Sequence, residues 1–310
     1  MWVKRRDNIF KKVTAMHHNI MLESPAKIYY KQDQLYIENE EKHHFPIEDL
    51  NALVIGNPNT TITARTLDAL TNNGTVVIVC GKNHQPSGVL IPFGAYSRRL
   101  PMITLQFKQS VPRKKRLWQQ IVKRKILNQG QCLVLLGIKD DVSKLSVQVK
   151  SGDPTNIEGI AARRYFKILF GDDFSRGIDS IDNAMLNYGY AILRGCIARY
   201  LALYGLEPAV GIFHHSELNN FNLADDLIEV FRPVVDLLVH QSNTKGDELT
   251  PILKKELVKV LQMDVLVKGM KQPVNYAIEQ LVQSLMRYYK CEIDELDLPI
   301  LLPVSMHAYE

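Results

Sequence analysis

Residues 185–206 read MLNYGYAILRGCIARYLALYGL, which is the most apolar long stretch of the 310-residue chain. Its length approaches that of a membrane span, but Arg194 and Arg199 stand in its middle, where a charge is costly in lipid. The stretch therefore predicts a buried helix in the core of a globular protein, and no association with a membrane is expected.

On the N-terminal side of this helix, the sequence has the pattern of short strands. Segments rich in Val, Ile and Tyr, separated by turn residues, predict strands at 27–30, 34–38, 52–55, 75–80 and 88–91. A helix at 63–70 is expected to cross between two of these strands, because its apolar residues have helical spacing.

Nearer the C-terminus, apolar residues recur with a period of 3.6. This spacing predicts helices at 113–128, 131–149, 154–170, 181–206, 223–239, 251–261 and 274–289. Strands followed by helices, without alternation, predict an α+β fold with segregated domains. The expected divisions are a strand-rich domain at 1–97, a linker at 98–112, a helical domain at 113–291 and an irregular tail at 292–310.

Cysteine usage and the first residues bear on the cellular compartment. The four cysteines lie far apart with no Cys-x-x-Cys pair, which argues against a zinc ribbon or a disulfide framework. The basic residues Lys4, Arg5 and Arg6 are not followed by the apolar run of a secretory signal. We therefore expect a cytoplasmic protein.

The net charge of +5 is distributed unevenly. Residues 106–139 contain no acid and nine basic residues, which are Lys108, Arg113, Lys114, Lys115, Arg116, Lys123, Arg124, Lys125 and Lys139. Charge of one sign favours an anionic partner, whereas an ordinary solvated helix face usually mixes both signs. The segment from Lys108 to Lys125 is thus a candidate DNA-binding surface, and a solvated face is the alternative.

Acidic residues in apolar surroundings form a second feature. Glu158 lies in the first turn of a predicted helix, where a carboxylate also favours the helix dipole. Asp226 and Glu229 are three residues apart and share a helix face beside apolar side chains. Carboxylates there are unfavourable unless a positive charge lies opposite. His214 ends a short apolar run between these two acidic regions.

Four spaced motifs connect these residues to a known family. They are Glu158-x-x-Ala161-Ala162-Arg163-x-Tyr165-Phe166, Asn183-x-x-Leu186-Asn187-Tyr188-Gly189-Tyr190, Gly205-Leu206-x-Pro208-x-x-Gly211-x-x-His214 and Asp226-Leu227-x-Glu229-x-Phe231-Arg232-Pro233. In this order the motifs closely resemble the CRISPR-associated adaptation endonuclease, the integrase subunit of spacer acquisition. The runs 166–174 and 222–233 look like the branch found in type II systems.

The resemblance implies an N-terminal β-sandwich-like domain that mediates dimerisation and an all-helical C-terminal domain that carries a metal site. It places the three metal ligands on Glu158, His214 and Glu229, which are also the expected catalytic residues, and Asp226 at an additional acidic position. Because neighbouring residues of an extended segment point to opposite sides, only one of His214 and His215 should face the metal. His214 takes the family's place after Gly211.

Two carboxylates and one imidazole suit manganese or magnesium, with Mn²⁺ as the first choice over Mg²⁺. We expect a DNA 3′-hydroxyl to attack a phosphodiester in a transesterification, with hydrolysis as a companion activity. Arg163, Arg164 and Arg232 are candidates for phosphate contacts, or alternatively for ion pairs with nearby acids.

The resemblance also implies partners. These are double-stranded DNA, as prespacer and as repeat array, and a second copy of the chain in a homodimer. Two homodimers would flank a dimer of the small CRISPR adaptation partner in a heterohexamer, and other type II CRISPR proteins are further candidates. Two alternatives stay open: a structure-selective repair nuclease acting on branched DNA, and a DNA-binding assembly scaffold whose acids only stabilise the helical domain.

Overall fold

The computed structural model describes residues 18–81, 86–90, 99–242 and 248–307. Its N-terminal part contains the strands β1 (His18–Leu22), β2 (Lys27–Lys31), β3 (Gln34–Glu38), β4 (Lys42–Pro46), β5 (Leu50–Ile55) and β6 (Thr61–Ile62), then helix α1 (Ala64–Asn73) and strands β7 (Val76–Cys80) and β8 (Pro86–Leu90). The strands form two four-stranded sheets, β1-β5-β7-β8 and β4-β3-β2-β6. Both sheets mix parallel and antiparallel pairs.

One apolar core joins the two sheets. It contains Ile28 and Leu35 from one sheet, Leu53 and Val77 from the other, and Leu70 from α1. The alternation of side chains along a strand turns residues such as Ala52 of β5 and Val76 of β7 to the opposite face, where they enter the core of the helical part. The predicted sandwich-like arrangement is confirmed, and one of its sheets is covered on both faces.

The C-terminal part is mainly helical. Its helices are α2 (Arg99–Phe107), α3 (Val111–Leu135), α4 (Ile157–Phe170), α5 (Ile181–Leu203), α6 (Asn222–Ile228), α7 (Arg232–Gln241), α8 (Pro251–Val258) and α9 (Val274–Tyr289). Helix α5 is the predicted central helix and contacts α6, α7, α8 and α9 as well as β7 and β8. The α+β order is thus confirmed. Within the described ranges, no helix is long and apolar enough to cross a membrane.

The buried arginine of α5 explains how a charge is accommodated in so apolar a helix. Arg199 is 4% exposed and donates a hydrogen bond to the carbonyl oxygen of Gly74, beyond the end of α1. Its guanidinium carbon also lies 3.9 Å from the ring centroid of Tyr200. Arg199 therefore ties the central helix to the strand-rich part, because a buried cation needs such partners.

The structure corrects the expectation of a purely helical C-terminal part with an irregular tail. Strands β9 (Met263–Val267), β10 (Met270–Pro273) and β11 (Ile300–Met306) form a three-stranded antiparallel sheet in the order β10-β9-β11. The tail is ordered here because Leu301 is buried and because Ser305 and His307 bond to the buried carboxylate of Asp264. These bonds join residues about 40 positions apart, so no local pattern predicts them.

Three further segments differ from the sequence-based prediction. Residues 99–107, expected to be a linker, form α2, whose Gln106 is buried and donates to the carbonyl oxygens of Glu207 and Val210. Helix α3 runs through the predicted break and ends at Leu135, so the helix predicted at 131–149 is wrong beyond that residue, where a 3₁₀ helix at Val142–Gln148 follows. Gly130 lets the two helices approach closely, since a Cβ there would lie 2.6 Å from Ser143 Cβ. The helix expected at 223–239 is interrupted between α6 and α7.

The strands at 18–22, 42–46 and 61–62 were also not predicted from the sequence. Lys4, Arg5, Arg6 and Ile91, which entered the sequence-based expectations, lie outside the described residues.

The packing of α5 against α7 leads to a stability prediction. A Cβ at Gly189 would lie 2.5 Å from Cγ1 of Val235, which is fully buried. Gly189→Ala should therefore destabilise the protein by about 1–3 kcal/mol, because overpacking strains a dense core. The matching observation is a lower Tm in thermal unfolding. In a Val235→Ala background the same glycine change should cost less, whereas an equal cost in both backgrounds would contradict the proposed clash.

Candidate metal centre and DNA-facing surface

The start of α4 fixes the position of Glu158. The Asp153 carboxylate accepts hydrogen bonds from the backbone amides of Ile157 and Glu158, both at 2.9 Å, and the Asn156 side chain accepts from Gly159. These bonds satisfy amides that the first helical turn leaves without partners. Glu158 is thereby held in the first turn, with its side chain only partly exposed.

Asp226 organises the loop that carries His214. This fully buried carboxylate accepts hydrogen bonds from the backbone amides of Ile212, Phe213 and His214, and it lies 2.7 Å from His214 Nδ1. Gly211 leaves the necessary room, since a Cβ there would lie 2.1 Å from the His214 carbonyl oxygen. The loop is therefore folded around one acid, which explains the glycine three residues before the histidine.

The hydrogen bond between His214 and Asp226 determines which ring nitrogen of His214 could bind a metal ion. The bond to Asp226 raises the pKa of His214, although burial acts in the opposite direction. A tautomer with its proton on Nδ1, donated to the carboxylate, leaves the Nε2 lone pair available to a metal ion. The structure thus places Asp226 behind His214, in an orienting position. Neighbouring His215 is exposed, and its Nδ1 lies 2.9 Å from the Phe213 carbonyl oxygen.

Glu229 is buried between two cations. Its Oε1 accepts a hydrogen bond from Arg232 Nε at 2.9 Å, and its Oε2 forms an ion pair with Lys125. Burial alone would raise the pKa of Glu229, but Arg232 and Lys125 lower it to about 2. The carboxylate is therefore negative at neutral pH, and the site around it is built for a cation.

Lys125 bridges the two acidic elements. The same ammonium group that pairs with Glu229 also pairs with Glu158, and only 7% of its side chain is exposed. Burial would lower the pKa of Lys125, but the charges of Glu229 and Glu158 raise it, so the ammonium group remains charged. One lysine from α3 thus connects the start of α4 with the end of α6.

The side chains in this region fit a divalent metal ion by their chemistry. Among the described residues, no three His, Cys, Asp or Glu side chains converge closely enough to hold one. Two carboxylates nevertheless already share a cation, and the buried Glu229 Oε2 has no hydrogen-bond partner apart from that ion pair. With the Nε2 of His214 this makes a set of oxygen and nitrogen donors, which suits manganese or magnesium.

The basic residues expected to contact DNA fall into two groups. Lys108, Lys115, Arg116 and Arg163 are exposed, Lys114 and Lys123 are partly exposed, and Arg164 is exposed but bonded to Asp140 at 2.7 Å. These seven remain candidates for phosphate contacts.

Of the remaining three basic residues, two are engaged within the protein and the third is partly buried. Arg113 donates to the Tyr288 carbonyl oxygen at 2.7 Å and lies over the Tyr288 ring. Arg124 is partly buried, and this burial lowers its pKa. Lys125 belongs to the acidic site and not to the exposed basic surface.

The role of Lys125 was missed, although the sequence contains a signal for it. Lys125 follows Ile121 by four residues and precedes Ile126, and both isoleucines are buried. Residues four apart share a helix face, so a lysine at this position points toward the core and needs an anionic partner there. The sequence did not indicate which acidic residues lie opposite Lys125.

Comparison with known proteins identifies the family. A family model described as CRISPR associated protein Cas1 matches residues 20–249. The CRISPR-associated endonuclease Cas1 of Neisseria meningitidis serogroup C (strain 8013) is 40% identical over 301 residues, which cover 94% of this chain and 99% of that protein.

Two solved structures share the fold. A casposase bound to integration product has a TM-score of 0.75 at 20% sequence identity, covering 90% of this chain and 92% of that one. A chain of a Cas6-RT-Cas1–Cas2 complex has a TM-score of 0.68 at 18% identity, covering 93% of this chain and 36% of that one. Together with the four motifs and the site that they build, the sequence matches show that this chain belongs to the CRISPR-associated protein Cas1 family.

Proposed function

We propose that this chain is a divalent-metal-dependent DNA endonuclease and integrase that joins the 3′-hydroxyl ends of prespacer DNA into a CRISPR repeat array. The observation that carries the proposal is that the buried Glu229 and the partly buried Glu158 share the ammonium group of Lys125, while Asp226 orients His214. The name of the Neisseria relative supports the nuclease activity, and the casposase structure supports the integration chemistry by fold.

In this proposal Glu158, Glu229 and His214 hold Mn²⁺ or Mg²⁺. A bound ion of this kind activates a hydroxyl group and stabilises negative charge that develops on a phosphodiester. Asp226 fixes the orientation of His214, and Arg232 fixes one oxygen of Glu229. Attack by a DNA 3′-hydroxyl gives transesterification, and attack by water in its place gives hydrolysis, so both activities belong to one site.

The ammonium group of Lys125 marks the place between the two carboxylates. In the proposal Glu158 and Glu229 would hold the divalent ion, and the Lys125 ammonium group would give up its ion pairs with them, because the ion would supply the positive charge instead. Lys125 thus stabilises the metal-free site, where two buried carboxylates would otherwise repel each other.

The proposed assembly is a homodimer, two of which flank a dimer of a small partner on double-stranded DNA in a heterohexamer. The matched Cas6-RT-Cas1–Cas2 complex supports an association with a partner of the Cas2 kind. Membership of the type II branch, and further type II partners, remain predictions from the resemblance.

Strand transfer tests the activity. Purified protein, with and without its small partner, is mixed with short duplex DNA bearing 3′-hydroxyl ends and a supercoiled plasmid carrying a repeat, in Mn²⁺ or in EDTA. We expect joining only with the metal. The rate of joining should fall by at least about a hundredfold in Glu158→Gln, His214→Ala and Glu229→Gln, because electrostatic stabilisation of the transition state contributes that much to a reaction rate.

Other outcomes of this assay point to the alternatives. Metal-dependent cutting of branched DNA without any joining would indicate the repair nuclease. Neither joining nor cutting, with DNA binding retained, would indicate the scaffold. Glu295→Gln is a control, because Glu295 is an exposed carboxylate that lies outside the proposed ligand set.

Lys125→Met tests the cation exchange. We expect this variant to bind Mn²⁺ at least about tenfold more tightly, since the competing ammonium is gone, and tenfold corresponds to about 1.4 kcal/mol. The metal-free variant should also have a lower Tm, because Glu158 loses its cation. Titration calorimetry and thermal unfolding measure the two effects. Lys123→Met, on the same helix but partly exposed, should change neither, and weaker or unchanged Mn²⁺ binding by Lys125→Met would contradict the exchange.

The exposed basic residues lead to a separate prediction about DNA affinity and its salt dependence. Changing Lys108, Lys115 and Arg116 together to Gln should weaken duplex binding and flatten its salt dependence, by about 0.9 in the log–log slope for each phosphate that is no longer neutralised. Fluorescence titration between low and moderate salt measures this slope. A control triple of exposed lysines elsewhere, Lys31, Lys255 and Lys290, should leave it unchanged. An unaltered slope in the first triple would remove this surface from the DNA path.

A further inference from the structure

A crevice lined by three arginines opens beside the acidic site. Its volume is about 390 Å³, and it lies between α5, the α6–α7 region and the start of β8. Arg176, Arg194 and Arg232 line it together with a single acid, Asp225. Pockets of roughly 300–1,000 Å³ are typical of small-ligand sites, so the crevice has room for one anionic group with its neighbouring atoms.

Arg176 is held in the crevice by neutral groups. Its two terminal nitrogens donate to the side-chain oxygens of Asn183 and Asn187, and its guanidinium carbon lies 5.2 Å from the ring centroid of Tyr190. Amide oxygens and an aromatic ring orient a guanidinium without neutralising it. Its full positive charge therefore remains at the crevice wall.

Arg232 connects the crevice to the acidic site. Its Nε donates to Glu229, but no described residue accepts a hydrogen bond from its terminal nitrogens. Its guanidinium also lies over the Tyr190 ring, 4.5 Å from the centroid. Two guanidinium groups thus share one tyrosine, which brings like charges close together in a partly enclosed space.

Arg194 adds the third charge. Its nearest carboxylate oxygen, on Asp225, is 3.9 Å away, and Asp225 also accepts a hydrogen bond from Asn219 at 2.7 Å. Arg232 is paired with Glu229 through its Nε, but within the crevice lining the three guanidinium groups face one carboxylate, Asp225, which is shared with another donor. Like charges in one crevice repel each other unless an anion lies among them. Guanidinium groups bind phosphate with two parallel hydrogen bonds, which makes phosphate the anion of matching shape.

We infer that this arginine crevice binds a backbone phosphate of the DNA strand that reacts at Glu229. The inference rests on the proposed function, because it places the crevice on the path of the reacting strand. Arg232 bonds to Glu229 and also lines the crevice, so a phosphate held there belongs to a nucleotide close to the reacting bond. The crevice thus acts on the position of the strand and takes no part in bond breaking.

The test uses DNA in which one phosphate at a time is replaced by a neutral methylphosphonate. Binding to each DNA is measured in EDTA, so that no cleavage occurs, for the wild type, for Arg194→Gln and for Arg176→Gln/Arg194→Gln. The wild type should lose roughly ten- to a hundredfold in affinity at one or two neighbouring linkages, as expected for a charge-assisted hydrogen bond. The double variant should bind native DNA more weakly and show no further loss at those linkages.

Controls separate this inference from the proposed function. A Lys31→Gln/Lys255→Gln variant should keep the wild-type profile along the strand. If the double variant fails to fold, Arg194→Gln alone takes its place, and it should give a profile intermediate between those of the wild type and of a protein without the crevice. A double variant with the wild-type profile would overturn the arginine crevice alone. No binding of any DNA by the wild type would overturn the proposed function as well.

The same variants distinguish a phosphate of the DNA backbone from free inorganic phosphate. If inorganic phosphate raises the Tm of the wild type but not of the double variant, while no linkage-specific loss occurs, the crevice binds a free anion. That result would overturn the inference about the DNA strand.

Discussion

The ion pairs of Lys125 with Glu158 and Glu229 are the interaction on which the rest of the site depends. Two buried or partly buried carboxylates cannot stay charged together without a cation between them. Lys125 supplies that charge from α3, and in doing so it holds the start of α4 against the end of α6. The two carboxylates therefore hold a cation in the folded chain, and three elements distant in sequence set the geometry of these ion pairs.

The surrounding structure keeps this arrangement rigid. Asp226 folds the loop of His214 around its own carboxylate, and Arg232 fixes Glu229 while facing the arginine crevice on its other side. Helix α5 packs against α6, which contains Asp226, and against α7, which begins at Arg232. It also lines the arginine crevice. Because Arg199 ties α5 to the strand-rich part, the site is supported by the whole fold and not by the helical part alone.

Much of this could be predicted from the sequence, where the causes are local. The strands with alternating apolar residues, the first-turn position of Glu158 and the helical spacing of Asp226 and Glu229 all follow from short patterns. The family motifs added the prediction of which residues form the site. The small C-terminal sheet and the identity of the acids opposite Lys125 depend on partners far along the chain. No spacing rule contains that information, so these features appear only in the structure.

The most direct measurement of the central claim is anomalous diffraction from crystals of the protein soaked in Mn²⁺. The account predicts one strong anomalous peak bounded by the carboxylates of Glu158 and Glu229 and by His214 Nε2, with the ammonium group of Lys125 moved out of its place between the two acids. A peak at any other set of residues, or an unmoved Lys125 with no peak between these carboxylates, would contradict it.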